Sequence, residues 1–259
     1  MSGAGGYMAL VLTEVVAGSV VFLWLQPLWN EVRRGLFTLT TSVQLVLAVA
    51  AWWSARAGAV AGSRAGTVAV HLAAATAALV VLTFVLLVAK RGRVARVLGF
   101  VTVPVSLAVL CSLAATGRQT YAVALFQLLA GAAFLGSITN GLLLGHWYLT
   151  DRGLSRGPIN RATTAMLVSV VVQAISVVAG GFSGVESSPA LNPLLTAGAL
   201  APWIALGMTG TTLLIAVLTR LALKGDRASA VQSATGFYYL AVVTGVVSEV
   251  ALMTRFLPR

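Results

Sequence analysis

Eight apolar runs, each long enough to cross a bilayer, follow one another along this chain with short polar connections between them. They fall at 7–29, 36–55, 66–89, 95–115, 121–149, 162–181, 195–223 and 231–257. A transmembrane helix takes about 20 mostly apolar residues. Within a bilayer every backbone N–H and C=O must be bonded inside the protein, so such runs are expected to be helical. The expected fold is all-α: a polytopic integral membrane protein, a bundle of about eight transmembrane helices that forms one domain over 1–259.

Charge content agrees. Only 9% of the 259 residues are charged and 59% are apolar, with a mean hydropathy of +0.96. Soluble domains carry about 25% charged residues, so this chain has too few to cover a water-facing surface. The longest polar connection runs from Phe182 to Pro193, which leaves no room for a soluble domain. Chemistry is therefore expected inside the bundle, at its faces or on a partner chain. The net charge of +11 reads as attraction to anionic lipid and as loop charge, not as a nucleic-acid signal. Cys111 is the sole cysteine, which excludes an intramolecular disulfide and argues against a cysteine metal cluster. Met1 to Met8 lacks a basic n-region and Glu14 interrupts the run that follows, so this segment reads as a retained first helix.

The basic residues set an expected orientation. Arg33, Arg34, Lys90, Arg91, Arg93, Arg96, Arg152, Arg156, Arg161, Arg220, Lys224 and Arg227 follow runs one, three, five and seven. Only Arg56, Arg64, Arg118, Arg255 and Arg259 lie on the other side. The positive-inside rule puts the larger group in the cytoplasm and both termini outside a cell membrane. Trp29, Trp52, Trp53, Trp147 and Tyr148 fall near predicted helix ends, where an aromatic belt accounts for most of them. Pro104 and Pro202 are expected inside helices four and seven, each removing a backbone hydrogen bond. A faint internal echo pairs Tyr7, Glu14 and Gly18 with Tyr121, Gln127 and Gly131, as a four-plus-four duplication would. Chance similarity between Ala/Gly/Val-rich helices is the simpler explanation, because the spacing from the tyrosine differs by one residue.

Glu14, His71 and Glu249 lie within apolar runs, whereas most other charges sit at run ends. Intramembrane ionisable groups are costly and mark function by default. Counting from the run ends puts all three in the outer half, Glu14 roughly 10 Å deep. Together they form a candidate proton or ligand site. Two carboxylates and an imidazole suit proton relay, a hydrogen bond to a quinol, or a cation. They also resemble a hard-metal site, but three separate helices supply no ligand spacing, and no metal is expected. The competing reading is structural: each Glu bonds a neighbouring helix and His71 sits at the interface.

A second locus ends helix five. His146, Tyr148, Asp151 and Arg152 gather at the inner face, where they suit a quinone carbonyl or a lipid head group. Ser137, Gly141 and Gly145 repeat every four residues along the same helix and predict a close crossing. An aromatic belt with an ordinary charged loop is the competing account.

Other chemistry is disfavoured. His71 and His146 lie near opposite faces, so they cannot clasp one haem. A His–Met haem pairing His71 with Met8 or Met253, or His146 with Met166, is disfavoured because Met more often fills space. Gly181-Phe182-Ser183-Gly184 resembles a serine-protease pattern, yet no histidine follows it. Lys90 and Lys224 are at helix ends, unlike a retinal lysine, and no phosphate loop occurs. The expected function is a membrane subunit of a larger redox or energy-converting complex. It would contact quinone or handle protons, anchor partner subunits, and have no catalytic activity of its own. A secondary transporter or channel coupled through Glu14 and Glu249 is the alternative. A lipid-modifying enzyme at the inner face ranks third.

Overall fold

A computed structural model describes residues 1–151, 153–181, 200–225, 229–254 and 256. Within them the chain forms α1 (Gly3–Leu25), α2 (Arg34–Ala57), α3 (Arg64–Val88), α4 (Gly92–Ala114), α5 (Tyr121–Thr150), α6 (Gly157–Ala179), α7 (Ala201–Ala222) and α8 (Ser229–Met253). All eight are long and apolar enough to cross a membrane, and no strand occurs among the described residues. The protein is a multi-pass helical membrane bundle. Its outer surface carries large apolar side chains such as Val46, Val85, Phe100, Leu214 and Val243, as a lipid-facing surface requires.

Helix ends follow local chemistry. Pro27 cannot continue α1 and instead opens a short 3-10 turn, Pro27–Asn30, so the first helix stops earlier than its apolar run. The Ser63 hydroxyl caps α3 by accepting from the Gly66 N–H at 3.1 Å. Pro104 lies inside α4 as expected. Pro202 lies in the first turn of α7 and not in its interior, so its missing N–H costs no helical bond. Trp29 also departs from the aromatic-belt reading. It is half-buried and stacks on the buried Phe37 with ring centroids 4.0 Å apart, whereas Trp53 is exposed, as a belt residue would be.

The eight helices pack as two rings of four. In the first, α1, α2, α3 and α4 follow one another and α4 closes on α1. In the second, α5, α6, α7 and α8 do the same and α8 closes on α5. The rings join along α1 and α5, and each central helix also touches the closing helix of the other ring. This shared packing order matches the faint sequence echo between helices one and five. The central helices are the most enclosed: 72% and 61% of their most apolar stretches are buried, against 33–44% in the other six.

Glycine makes the join possible. A Cβ at Gly18 would fall 1.7 Å from the Ala132 carbonyl oxygen, and one at Gly136 would fall 2.2 Å from the Gly18 carbonyl carbon. The two backbones are in contact there, with no side chain able to yield. Asn140 adds a cross-link, its amide donating to the Ser19 carbonyl at 2.9 Å and to the Gly136 carbonyl at 3.2 Å. Small residues and interhelical amide bonds are the means by which membrane helices associate, because lipid provides no hydrophobic drive. The expected crossing at Ser137, Gly141 and Gly145 is also used: Gly141 receives the Tyr238 ring and Gly145 the Thr235 hydroxyl, both from α8.

Gly18→Ala should therefore lower stability by about 1–3 kcal/mol or prevent folding. Gly210→Ala, where an added methyl meets nothing within 4 Å, should be neutral or stabilising. Unfolding midpoints of the two variants in detergent test this, and equal midpoints would show that the seam tolerates a methyl.

Candidate functional site

Glu14 falls near the middle of α1 and Glu249 one turn before the end of α8. Both are fully buried. They meet at Gly131 of α5. A Cβ there would lie 2.5 Å from Glu14 Oε1 and 3.0 Å from Glu249 Oε1. The absent side chain is thus what makes room for the two carboxylates beside each other. The sequence-level pairing of Glu14 with Glu249 corresponds to a real approach between the first and last helices.

Their surroundings differ. Gln173 of α6 donates its amide N–H to Glu249 Oε1. The Gln173 carbonyl oxygen accepts from the Ser176 hydroxyl at 3.1 Å, which turns the amide so that its NH₂ faces the carboxylate. Gln127 of α5 continues the network, donating to the Ser176 backbone carbonyl at 3.3 Å. Glu249 Oε2 and both oxygens of Glu14 have no protein hydrogen-bond partner. The ion pairs among the described residues join Arg33 to Asp151 and Arg161 to Glu31, not either buried Glu. Three of the pair's four carboxylate oxygens are thus enclosed and unsatisfied, a setting that ordinarily costs several kcal/mol.

His71 is not part of this cluster. Its side chain is exposed on α3, a helix that packs chiefly against α2 and α4. Its depth along the helix resembles that of the glutamates, but its direction points it outward. Among the described residues no three His, Cys, Asp or Glu side chains converge as a metal site.

The inner-face set also separates. Tyr148 turns inward and donates to the Ser155 carbonyl. Asp151 pairs with Arg33 at 3.5 Å, tying the end of α5 to the start of α2. Arg152 lies outside the described residues, as does the segment from Phe182 to Pro193 with Ser183 and Gly184. His146 alone faces outward, half-buried, and its Nε2 lies 2.9 Å from the Tyr239 hydroxyl of α8. The arginine-rich end is otherwise stitched by Arg161 to Glu31 at 2.6 Å and by Arg156 to the Gly225 carbonyl.

Sequence reasoning missed Gln173, Gly131 and Tyr239. Gln173 carried a signal, since a lone amide in an apolar run must find a partner just as a carboxylate does. Gly131 entered only through its echo with Gly18 and not as part of a site, and Tyr239 carried no signal beyond its helix position. No protein-family model matches the chain, and neither a curated protein nor a solved structure matches it.

With Cys111 replaced by Ser, cysteines at positions 14 and 249 should join under mild oxidation or with a short bis-maleimide. Cysteines at 14 and 71 should not. Intact mass of the folded protein distinguishes the two, and equal yields would separate the structure from the pairing described here.

Proposed function

We propose that this protein handles protons or alkali cations within the membrane, with Glu14 and Glu249 as the pair that takes up and releases the charge. The observation that carries this reading is that two fully buried glutamates meet at Gly131 and three of their four carboxylate oxygens have no protein partner. Two carboxylates side by side and away from water need compensation, and a proton or a small cation provides it. Gln173 supports the role by offering Glu249 a donor, so the site keeps one hydrogen-bonded oxygen whatever its occupancy. The two glutamates come from different rings, a common arrangement in transporters, whose coupling sites lie between repeats.

Infrared difference spectroscopy of the purified protein tests the reading. Moving from mildly alkaline to mildly acidic buffer should raise a protonated-carboxyl band, and adding sodium or potassium should diminish it if a cation competes. The band should vanish in the Glu14→Gln, Glu249→Gln double variant. A spectrum unchanged by acid and by either cation, or identical in the double variant, would overturn the proposal.

A second reading is a membrane subunit of a larger redox or energy-converting complex that touches a quinone. The outward-facing His146–Tyr239 pair supports it, because a hydrogen-bonded imidazole and phenol near a membrane face suit a quinone carbonyl. Quinone co-purifying with the wild-type protein should then fall in His146→Ala and Tyr239→Phe. Equal quinone content in all three would remove this reading.

A further inference from the structure

The two rings share a packing order but treat their buried polar groups differently. In the second ring hydroxyls meet one another: Thr209 and Ser248 at 2.8 Å, Thr212 and Thr244 at 2.7 Å, Thr163 and Tyr238 at 3.1 Å. In the first ring Thr13 Oγ1, Thr40 Oγ1, Thr41 Oγ1 and Gln44 Nε2 are buried with no partner in the protein. Every unpartnered buried hydroxyl among the described residues belongs to that ring. Leaving such a group unsatisfied costs about 1–3 kcal/mol, so four of them in one bundle call for ordered water.

The same ring contains space for one such water. A cavity of about 10 Å³ lies between its four helices, lined among others by Thr13, Ala48, Thr76 and Ser106. That is close to the smallest volume that holds one water. Thr76 and Ser106 donate to the Leu72 and Val103 carbonyls, which leaves their oxygens able to accept from a water. Thr13 has its donor free. The other unpartnered groups continue the line. Thr40, Thr41, Gln44, Ala48 and Ala51 form one buried face of α2. The face begins near the arginine-rich start of that helix and climbs about 5.4 Å per turn toward the cavity. Thr13 immediately precedes Glu14, and successive residues on a helix point about 100° apart. Helix α1 thus presents Thr13 to the first ring and Glu14 to the seam.

We infer that ordered water in the first ring runs from the arginine-rich end of α2, past Gln44, to the cavity at Thr13, and is the route by which protons reach Glu14. This rests on the proposed role of the carboxylate pair. Each transfer moves a proton from one water or hydroxyl oxygen to the next, with no net bond change until a carboxylate accepts it. Among the described residues the buried hydroxyls of the second ring are already paired and mark no such path.

Radiolytic footprinting of the whole protein in detergent detects the water directly. Val16 and Val109 line the cavity and are 2% and 1% exposed, so Val16→Met and Val109→Met place oxidisable reporters beside it. Met166, 0% exposed in the second ring, is the internal dry control. At least one reporter should oxidise about tenfold faster than Met166. If both variants are folded and monodisperse yet oxidise no faster than Met166, the water chain is refuted.

The route has its own readout. After a rapid drop in pH, the protonated-carboxyl band should rise about tenfold more slowly in Gln44→Leu, or in Thr41→Val should the first variant not fold, and reach the wild-type amplitude. A wild-type rise time in either variant overturns the route. A band missing from the wild-type protein instead overturns the carboxylate reading and the proton role with it, whatever the footprint shows.

Discussion

Backbone contact between α1 and α5 at Gly18 and Gly136 sets the geometry of everything around it. Two helices meeting through larger residues would stand further apart, with axes about 8–10 Å from each other as an ordinary packed pair has. Here the nearest atoms are main-chain, so Glu14, one turn from Gly18, is carried to the surface of α5 and occupies the space that Gly131 leaves. Glu249 arrives at the same glycine because α8 closes the second ring against α5. The carboxylate pair is thus a consequence of the seam.

Lipid makes this arrangement meaningful. A buried polar group in a soluble protein competes with water when the chain unfolds, whereas one in a membrane has only protein or trapped water to bond. Most polar groups in this bundle obey that rule locally, with Thr and Ser hydroxyls donating to carbonyls one turn earlier, as in Thr83 to Leu79 and Thr219 to Ile215. Such bonds need nothing from a neighbouring helix. The exceptions therefore carry information, among them the two glutamates at the seam and the unpartnered stripe on α2. Neither is explained by helix association, since the close crossing and Asn140 already provide it.

The bundle was legible because hydropathy alone determines which segments can sit in lipid. That Glu14 and Glu249 call for an explanation was legible for the same reason, as an ionisable group in an apolar run is costly until something compensates it. Their meeting was not, because position along a helix fixes depth and says nothing of rotation. His71 shows the difference: its depth resembles theirs, yet it faces away on a peripheral helix. Tyr148 and Asp151 show it again at the other end, adjacent in sequence to His146 but turned to structural partners. Pro202 was misplaced because an apolar run does not mark where its helix begins, and proline is at home in a first turn. Gln173 was overlooked because attention went to charge, although a neutral amide in lipid is bound by the same need for a partner.

The seam also gives the pair mechanical meaning. Glu14 belongs to the first ring and Glu249 to the second, so any repulsion between them acts across the line where the rings join. Opposing it are contacts with little freedom to adjust: backbone against backbone at Gly18 and Gly136, and the Asn140 amide bonded to both helices at once. A charge change at Gly131 is therefore felt first by the elements that hold the two halves together. Under the proposed role of the pair, a proton or cation bound there would bias the packing of one half against the other, because packed interfaces respond by switching between arrangements and not by stretching.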